Sequence, residues 1–304
     1  MNILITGATG FIGQNLVEEL AKLGIHSLFC LVRNRKKAKL IEHFGVQLIY
    51  ADITKKESLV GILENKIDVV FHCAGYVKNK NHHLLHKINV LGTKNICELS
   101  SLLNVERLVY LSSIAVVSGN PQVPLTEDLP FSATNIYGQS KIEAEKIVLE
   151  CRGKGLRAVI IRPCMVYGKN EPHMIDRISL GAKCRILPII DGGTKKFHLV
   201  SVKNVVQAMI FSLSREEFLE GAFFIADDEI LTVKEVLMIF VKALNAPKPF
   251  AVNKPVSTVL RALPFLGKKL NFFAKDRAYS IERIKALGFN PSYSTFQSLF
   301  KSIR

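Results

Sequence analysis

Tyr137 and Lys141 stand four residues apart in Tyr137-Gly138-Gln139-Ser140-Lys141, and Ser112-Ser113 close an apolar run upstream. On a helix, residues four apart share a face, so the ammonium can approach the phenol. A free tyrosine titrates near 10, too high for ready proton exchange at neutral pH, and a nearby cation favours the phenolate. Ser113, at the end of a strand, can hydrogen-bond the same substrate oxygen. These residue types suit a proton-transfer site beside a hydride carrier.

A second motif supplies the place for such a carrier. Ile3-Leu4-Ile5-Thr6-Gly7-Ala8-Thr9-Gly10-Phe11-Ile12-Gly13 is an apolar run broken by glycines three apart, and it leads into Gln14–Leu20. This reads as strand, tight turn and helix. Gly7 and Gly10 leave room for backbone amides to reach a pyrophosphate at the helix start, and Gly13 lets the helix lie close on the sheet. The next strand candidate ends in Val32-Arg33-Asn34-Arg35-Lys36, with no acid between Glu19 and Glu42. NAD-selective folds usually place an acid here, whereas an arginine accommodates a 2′-phosphate, so NADP is favoured over NAD. Asp52, after the third strand, either accepts from the adenine amino group or caps the following helix. His72-Cys73-Ala74-Gly75 ends the fourth strand with small residues where a cofactor ribose needs room.

The elements that must hold these groups follow from the hydrophobic pattern. Strands are expected at Asn2–Thr6, Ser27–Val32, Gln47–Tyr50, Val69–Cys73, Arg107–Ser112 and Ala158–Arg162. Helices are expected at Gln14–Leu23, Ala38–Phe44, Glu57–Leu63, Leu84–Leu103 and Tyr137–Cys151. Apolar strands alternating with helices specify a parallel sheet covered on both faces, an α/β Rossmann-type doubly wound fold. After Pro163 short elements and glycine-, proline- and charge-rich loops predict a smaller C-terminal substrate lobe, including helices at Val205–Leu213 and Val233–Leu244 and a strand at Ala222–Ile225. We divide the chain into a dinucleotide-binding unit, residues 1–165, and a lobe, 166–304, with segments around 197–226 returning to the main sheet. Ligands in such sheets bind beyond the carboxyl ends of the strands.

Composition excludes several other classes. The chain has 304 residues, 48% hydrophobic and 22% charged, with a net charge of +15, as expected of a globular enzyme. Its cations are scattered, apart from short clusters at Arg33–Lys39, Lys195-Lys196 and Lys268-Lys269, without an aromatic-interleaved basic motif, so no nucleic acid partner is expected. The six cysteines have no metal-like spacing, which suggests a reducing compartment. His82, His83 and His86 lack an evident further ligand and read as a solvated turn, so no metal is expected. No apolar stretch is long enough for a bilayer span and no signal peptide is evident, which together predict a cytoplasmic protein. Val256–Phe273 mixes apolar residues with Arg261, Lys268 and Lys269. It reads as a pocket-lining segment, the alternative being contact with anionic membrane.

Thr6–Gly13, Asp52-Ile53, His72–Gly75, Asn89–Thr93, Ser112-Ser113, Tyr137–Lys141 and Arg162-Pro163 occur in the order found in extended short-chain dehydrogenases/reductases. The chain thus resembles the NAD(P)-dependent epimerase/dehydratase family, and later stretches (Phe197–Ala208, Ala222–Asp228, Ser280–Pro291) extend the likeness over nearly its whole length. The resemblance implies that Gly7, Gly10, Phe11, Ile12 and Gly13 line the pyrophosphate and adjoining cofactor. It places Asp52 and Ile53 at adenine, Cys73, Ala74 and Gly75 at ribose, and Asn89 and Pro163 in the cofactor pocket. Tyr137 would be the general acid/base, and Lys141 would hold the nicotinamide ribose while lowering the tyrosine pKa. Ser113 would orient the reacting oxygen, chosen over Ser112 because it immediately precedes Ile114-Ala115-Val116.

The implied reaction interconverts a secondary alcohol and a ketone on a small-molecule substrate. The rivals are a nucleotide-sugar epimerase or dehydratase and a non-catalytic dinucleotide-binding regulator. Val116-Val117-Ser118-Gly119 and Met165 depart from the V-Y-G and asparagine of sugar-nucleotide enzymes, while Lys195 and Lys196 stand where relatives hold a phosphate contact. A homodimer through the helices at Leu84–Leu103 and Tyr137–Cys151 is implied by analogy.

Overall fold

A computed structural model describes residues 1–24, 26–172, 174–262 and 273–303. Apolar runs, buried on both sides in all but the edge strand Gln47–Tyr50, form a seven-stranded sheet. Its strands are β1 (Asn2–Thr6), β2 (Ser27–Val32), β3 (Gln47–Tyr50), β4 (Val69–His72), β5 (Arg107–Leu111), β6 (Ala158–Pro163) and β10 (Ala222–Ile225). They lie in the order β10-β6-β5-β4-β1-β2-β3, every pair parallel. The order reverses between β1 and β4, and the crevice at such a switch point is where α/β sheets take ligands.

Alternation along each strand divides the core. Ile3 and Ile5 pack with Leu16, Leu20 and Val205, while Leu4 joins Val70, Ile96, Tyr110 and Val148 on the opposite face. The first face is covered by α1 (Phe11–Leu23) and α5 (Val202–Phe211), the second by α2 (Gly92–Leu102) and α3 (Ile136–Gly153). Away from the β3 edge both sheet faces are therefore dry, as continuous apolar strands require.

The remaining elements stand beyond the carboxyl ends of the strands. Strands β7 (Met165–Tyr167), β9 (Lys196–Ser201) and β11 (Ile230–Thr232) make a second sheet, and β8 (Pro188–Ile190) pairs with β12 (Phe250–Val252). Helices α4 (Met174–Lys183), α6 (Val233–Leu244) and α8 (Thr295–Ile303) pack on them around Phe197, Phe240 and Leu299; helix α7 (Lys254–Ala262) follows β12. Within 197–226, only β10 belongs to the large sheet.

Three helical expectations change. Ala38–Phe44 is not one helix. Asn34 Oδ1 accepts from Lys36 and Lys37 amides and starts a single turn at Arg35, and a separate 3-10 turn at Glu42–Phe44 ends at Gly45, whose φ is +70°. Glu57–Leu63 forms within the 3-10 segment Lys56–Glu64. Leu84–Leu103 is broken into a turn at His82–Leu85, a π-turn at His86–Leu91 and α2. The π-turn carries Asn89 inward to partners that an uninterrupted helix does not specify, and such turns favour functional sites.

Candidate active site

The loop from β1 to α1 is held by Gly7 at φ +69° and by a hydrogen bond from Gly10 N to Gly7 O of 2.8 Å. A Cβ on Gly7 would stand 2.6 Å from Ala74 N, and one on Gly13 would stand 2.1 Å from Gly7 O. Helix α1 starts behind Gly10 without a side-chain cap, leaving its first-turn amides and positive dipole end to an anion. Gly7, Gly10, Phe11, Ile12 and Gly13 open onto a cavity of about 1260 Å³. Cys73 and Gly75, from the end of β4, face the same space, together with Ser113, Tyr137, Lys141 and Pro163. A bare glycine cradle at an uncapped helix start, joined to a cavity large enough for a dinucleotide and a small molecule, fits the cofactor the glycine pattern implies.

Asn89, 1% exposed, acts behind the wall. Its Oδ1 accepts from Tyr76 N at 2.7 Å, and its Nδ2 donates to Tyr76 O at 3.0 Å and to Ser140 Oγ at 2.9 Å. One side chain thereby ties the loop after β4 to the helix that carries Tyr137. Ala74 N donates to Thr6 Oγ1 at 3.3 Å. Ile53 is buried. Arg33 and Asp52 follow β2 and β3, where their charged atoms stand 3.8 Å apart. Asp52 Oδ1 accepts from Thr54 N at 2.9 Å, closing a local turn rather than capping the following helix, which starts at Lys56 without a side-chain cap. Burial raises its carboxyl pKa, but the hydrogen bonds from Thr54 and the Arg33 charge outweigh this and hold it below the ordinary value.

The two serines have different partners. Ser112 donates to Glu145, whose carboxylate, 0% exposed, takes Arg162 Nη2 at 2.7 Å. Ser113 accepts from Ala115 N at 3.2 Å and hydrogen-bonds Tyr137. Asn135 caps α3 by accepting from Gly138 N at 2.8 Å, and Tyr137 N donates to Asn79 Oδ1 at 3.2 Å. The tyrosine is thus placed at the first turn of α3, facing the cavity.

Lys141 lies under Tyr137. Its ammonium donates to Leu111 O at 2.7 Å and to Tyr110 Oη at 3.1 Å, and stands 4.7 Å from the centre of the Tyr110 ring. Burial pulls its pKa down to about 8, with Glu145 and Cys73 opposing. Burial pushes the Tyr137 phenol above its ordinary value, and the Ser113 hydrogen bond opposes that rise. The expected lowering by Lys141 is absent from the balance, since the ammonium is turned to Tyr110 and Leu111. His72, between Thr6 Oγ1 at 2.6 Å and Thr93 Oγ1 at 3.0 Å, is held neutral by burial and the Lys141 charge, its pKa brought down to about 3.

The depressed lysine has a measurable consequence. Between pH 8 and the ordinary value of 10.5 the unfolded chain binds a proton that the folded chain has released, so the Lys141 contribution to stability rises with pH through that window. Denaturant melts at pH 7.5 and 9.5 should show that Lys141→Met gains stability relative to the parent at the lower pH and less at the higher. A difference independent of pH would refute the assignment.

Tyr110, Glu145 and the cavity wall beyond Tyr137 are absent from the sequence-derived site. That wall includes Met165, Met174, Ile178, Leu187 and Phe273, with Arg177 among the charged exceptions. Apolar residues in short irregular elements have no period to announce a pocket; Met165 alone had a signal, as an unusual residue in its motif. Phe273 puts one end of Val256–Phe273 at the cavity; residues 263–272 of that segment lie outside the described residues. Lys195 pairs with Asp276 at 2.8 Å. Among the described residues, no cluster of three or more metal-ligating side chains occurs and no helix is long and apolar enough to cross a membrane.

Comparison with known proteins finds relatives over nearly the whole chain. The chain is 27% identical over 274 residues to 4-hydroxy-2-methyl-3-oxo-4-farnesyl-3,4-dihydroquinoline-1-oxide ketoreductase of Stigmatella aurantiaca, covering 89% of this chain and 80% of that protein. It is 27% identical over 329 residues to the decarboxylating sterol-4-alpha-carboxylate 3-dehydrogenase of Bos taurus, covering 99% and 91%. The fold matches UDP-glucuronic acid 4-epimerase from Bacillus cereus in complex with NAD, with a TM-score of 0.82 at 20% identity, covering 100% and 98%. The model of the NAD dependent epimerase/dehydratase family matches residues 3–225. The chain is an NAD(P)-dependent oxidoreductase or epimerase and belongs to the NAD dependent epimerase/dehydratase family, among the extended short-chain dehydrogenases/reductases.

Proposed function

We propose that the enzyme interconverts a secondary alcohol and a ketone on an apolar small molecule, with NADP preferred to NAD. The observation that carries this reading is the shared cavity: Ser113 and Tyr137 face the same space as Met165, Met174, Ile178, Leu187 and Phe273. A hydrocarbon body is stabilised there, whereas the hydroxyls of a sugar would lose water against a wall whose charged members are Glu171 and Arg177. Lys195, one of the two lysines that the sequence offers for a nucleotide-sugar phosphate, is paired with Asp276. Relatives named for farnesyl-quinoline, sterol-carboxylate and 2-alkyl-3-oxoalkanoate chemistry support an apolar substrate.

In this reading Gly7, Gly10 and the start of α1 hold the pyrophosphate, and Cys73, Ala74 and Gly75 leave room for ribose. A nicotinamide so bound supplies or accepts the hydride. Ser113 positions the substrate oxygen by hydrogen bonding, and Tyr137 gives its phenolic proton to that oxygen in reduction and takes it back in oxidation. Lys141, anchored on Leu111 O and Tyr110, fixes the floor beneath the tyrosine and offers its remaining donor to the ribose. The apolar wall keeps water from the reacting carbon.

The decisive assays follow NADPH oxidation with a long-chain 3-keto ester and a ketosteroid, and C4 epimerisation of UDP-glucose in the presence of NAD. Turnover of an apolar ketone supports the proposal; activity confined to the sugar nucleotide, with cofactor retained through turnover, refutes it. Arg33, partly engaged by Asp52, is the cation placed for the 2′-phosphate. Arg33→Ala should raise KM for NADPH about tenfold, as loss of one charge-assisted hydrogen bond does, while leaving KM for NADH unchanged. Equal effects on both cofactors would count against the preference. A homodimer through α2 and α3 belongs to the same proposal, supported by exposed Leu91, Leu102 and Leu149, and sedimentation velocity tests it.

A further inference from the structure

The cavity wall continues outward onto an exposed apolar surface. Leu180 on α4, Ile186 in the turn after it and Phe250 at the start of β12 are 63%, 65% and 50% exposed. They adjoin one another: Ile186 N donates to Gly181 O at 3.0 Å, and Phe250 N donates to Leu187 O at 3.1 Å. Leu187, the residue between them, lines the cavity. The apolar surface and the substrate space thus meet at one rim.

Cations outnumber acids around this rim, where exposed Asp176 stands one turn before Leu180 on α4. The chain has 26 Asp and Glu residues, yet none falls between Asp176 and Asp191 or between Glu235 and Asp276. Lys183, Arg185 and Lys248 flank the three apolar side chains, are exposed, and have no ion-pair partner among the described residues. Apolar side chains interleaved with unpaired cations suit the headgroup boundary of an anionic bilayer, where hydrocarbon enters the acyl layer and cations meet lipid phosphate. A second copy of this chain would set the same cations against each other, and a nucleic acid backbone offers nothing to Leu180, Ile186 and Phe250.

From this rim we infer that the protein docks on anionic membrane through Leu180, Ile186 and Phe250, with Lys183, Arg185 and Lys248 as its electrostatic contacts. The docked cavity opens toward the lipid, so an apolar compound can pass between bilayer and site without crossing water. Docking stands on the surface alone and does not require the redox proposal.

Vesicle co-sedimentation of the full chain, without cofactor or substrate, tests it. Vesicles of equal parts phosphatidylcholine and phosphatidylglycerol should bind the parent at least about thirtyfold more strongly than phosphatidylcholine alone. Leu180→Ser/Ile186→Ser/Phe250→Ser and Lys183→Glu/Arg185→Glu should each lose about tenfold or more, and a control reversal, Lys66→Glu/Lys94→Glu, should bind as the parent does. Single Ile186→Ser, at a site with little packing to lose, should show a smaller loss if the triple variant unfolds. Equal binding to both vesicle types would overturn the inference, as would rim variants that bind like the parent. A control that loses as much as the rim variants would also overturn it, by showing diffuse attraction to a chain of charge +15. Self-association that the rim variants abolish, without vesicle binding, would assign the surface to a second copy instead.

Discussion

Tyr137→Phe is expected to lower kcat by about 10²- to 10⁴-fold, the usual contribution of a positioned acid or base. It removes one oxygen from the cavity and leaves the glycine loop, Ser113 and Lys141 in place. The Kd for cofactor, read by nicotinamide fluorescence, should therefore stay within about twofold of the parent. Burial raises the phenol pKa in the free enzyme and the Ser113 hydrogen bond opposes the rise, so Tyr137 is protonated at neutral pH and ready to donate in the reductive direction. Ser113→Ala should reduce kcat by a smaller factor and push the phenol pKa further up. Retention of more than about a tenth of kcat by Tyr137→Phe would remove the tyrosine from the proton transfer. Loss of cofactor binding in the same variant would assign it to the pocket instead.

Arg162→Met should cost about 3–5 kcal/mol of unfolding free energy, because it leaves the buried Glu145 carboxylate without its counter-ion. Arg162 Nε and Nη2 both reach that carboxylate, the latter at 2.7 Å, and Glu145 is 0% exposed. Glu145→Leu/Arg162→Met should recover most of the loss, since removing both charges also removes the desolvation that their pairing offsets. Urea denaturation of the parent, both single variants and the double variant forms the cycle. A loss below about 1 kcal/mol for Arg162→Met would mean that water reaches the carboxylate. The pair also bears on activity: Glu145 accepts from Ser112, the neighbour of Ser113, so surviving Arg162→Met protein should show a raised KM from a displaced β5 end.

Lys141 carries a lesson of its own. A lysine four residues after a tyrosine on one helix face suggests direct tuning of the phenol, yet its ammonium is spent on Tyr110 Oη and Leu111 O. In the free protein its charge adds to the burial that keeps His72 neutral, and its hydrogen bonds hold the end of β5 against α3.

The amino-acid sequence determined the large sheet, because strands buried on both faces are short continuous apolar runs and the helices between them keep their own period. The strand expected at Gln47–Tyr50 and the helix expected at Val233–Leu244 form with those bounds, and the glycine turn is local chemistry readable from spacing. Tertiary structure alone decided the rest. Ser112 and Ser113 are neighbours of one type that both line the cavity, and only the approach of Glu145, 33 residues away, engages the Ser112 hydroxyl. The partners of Lys141 lie 30 and 31 residues upstream, and the wall formed by Met165, Met174, Leu187 and Phe273 joins elements with no common period. Local pattern reports which face of a segment is buried; which side chains then meet is set by how segments far apart in the chain pack across that face.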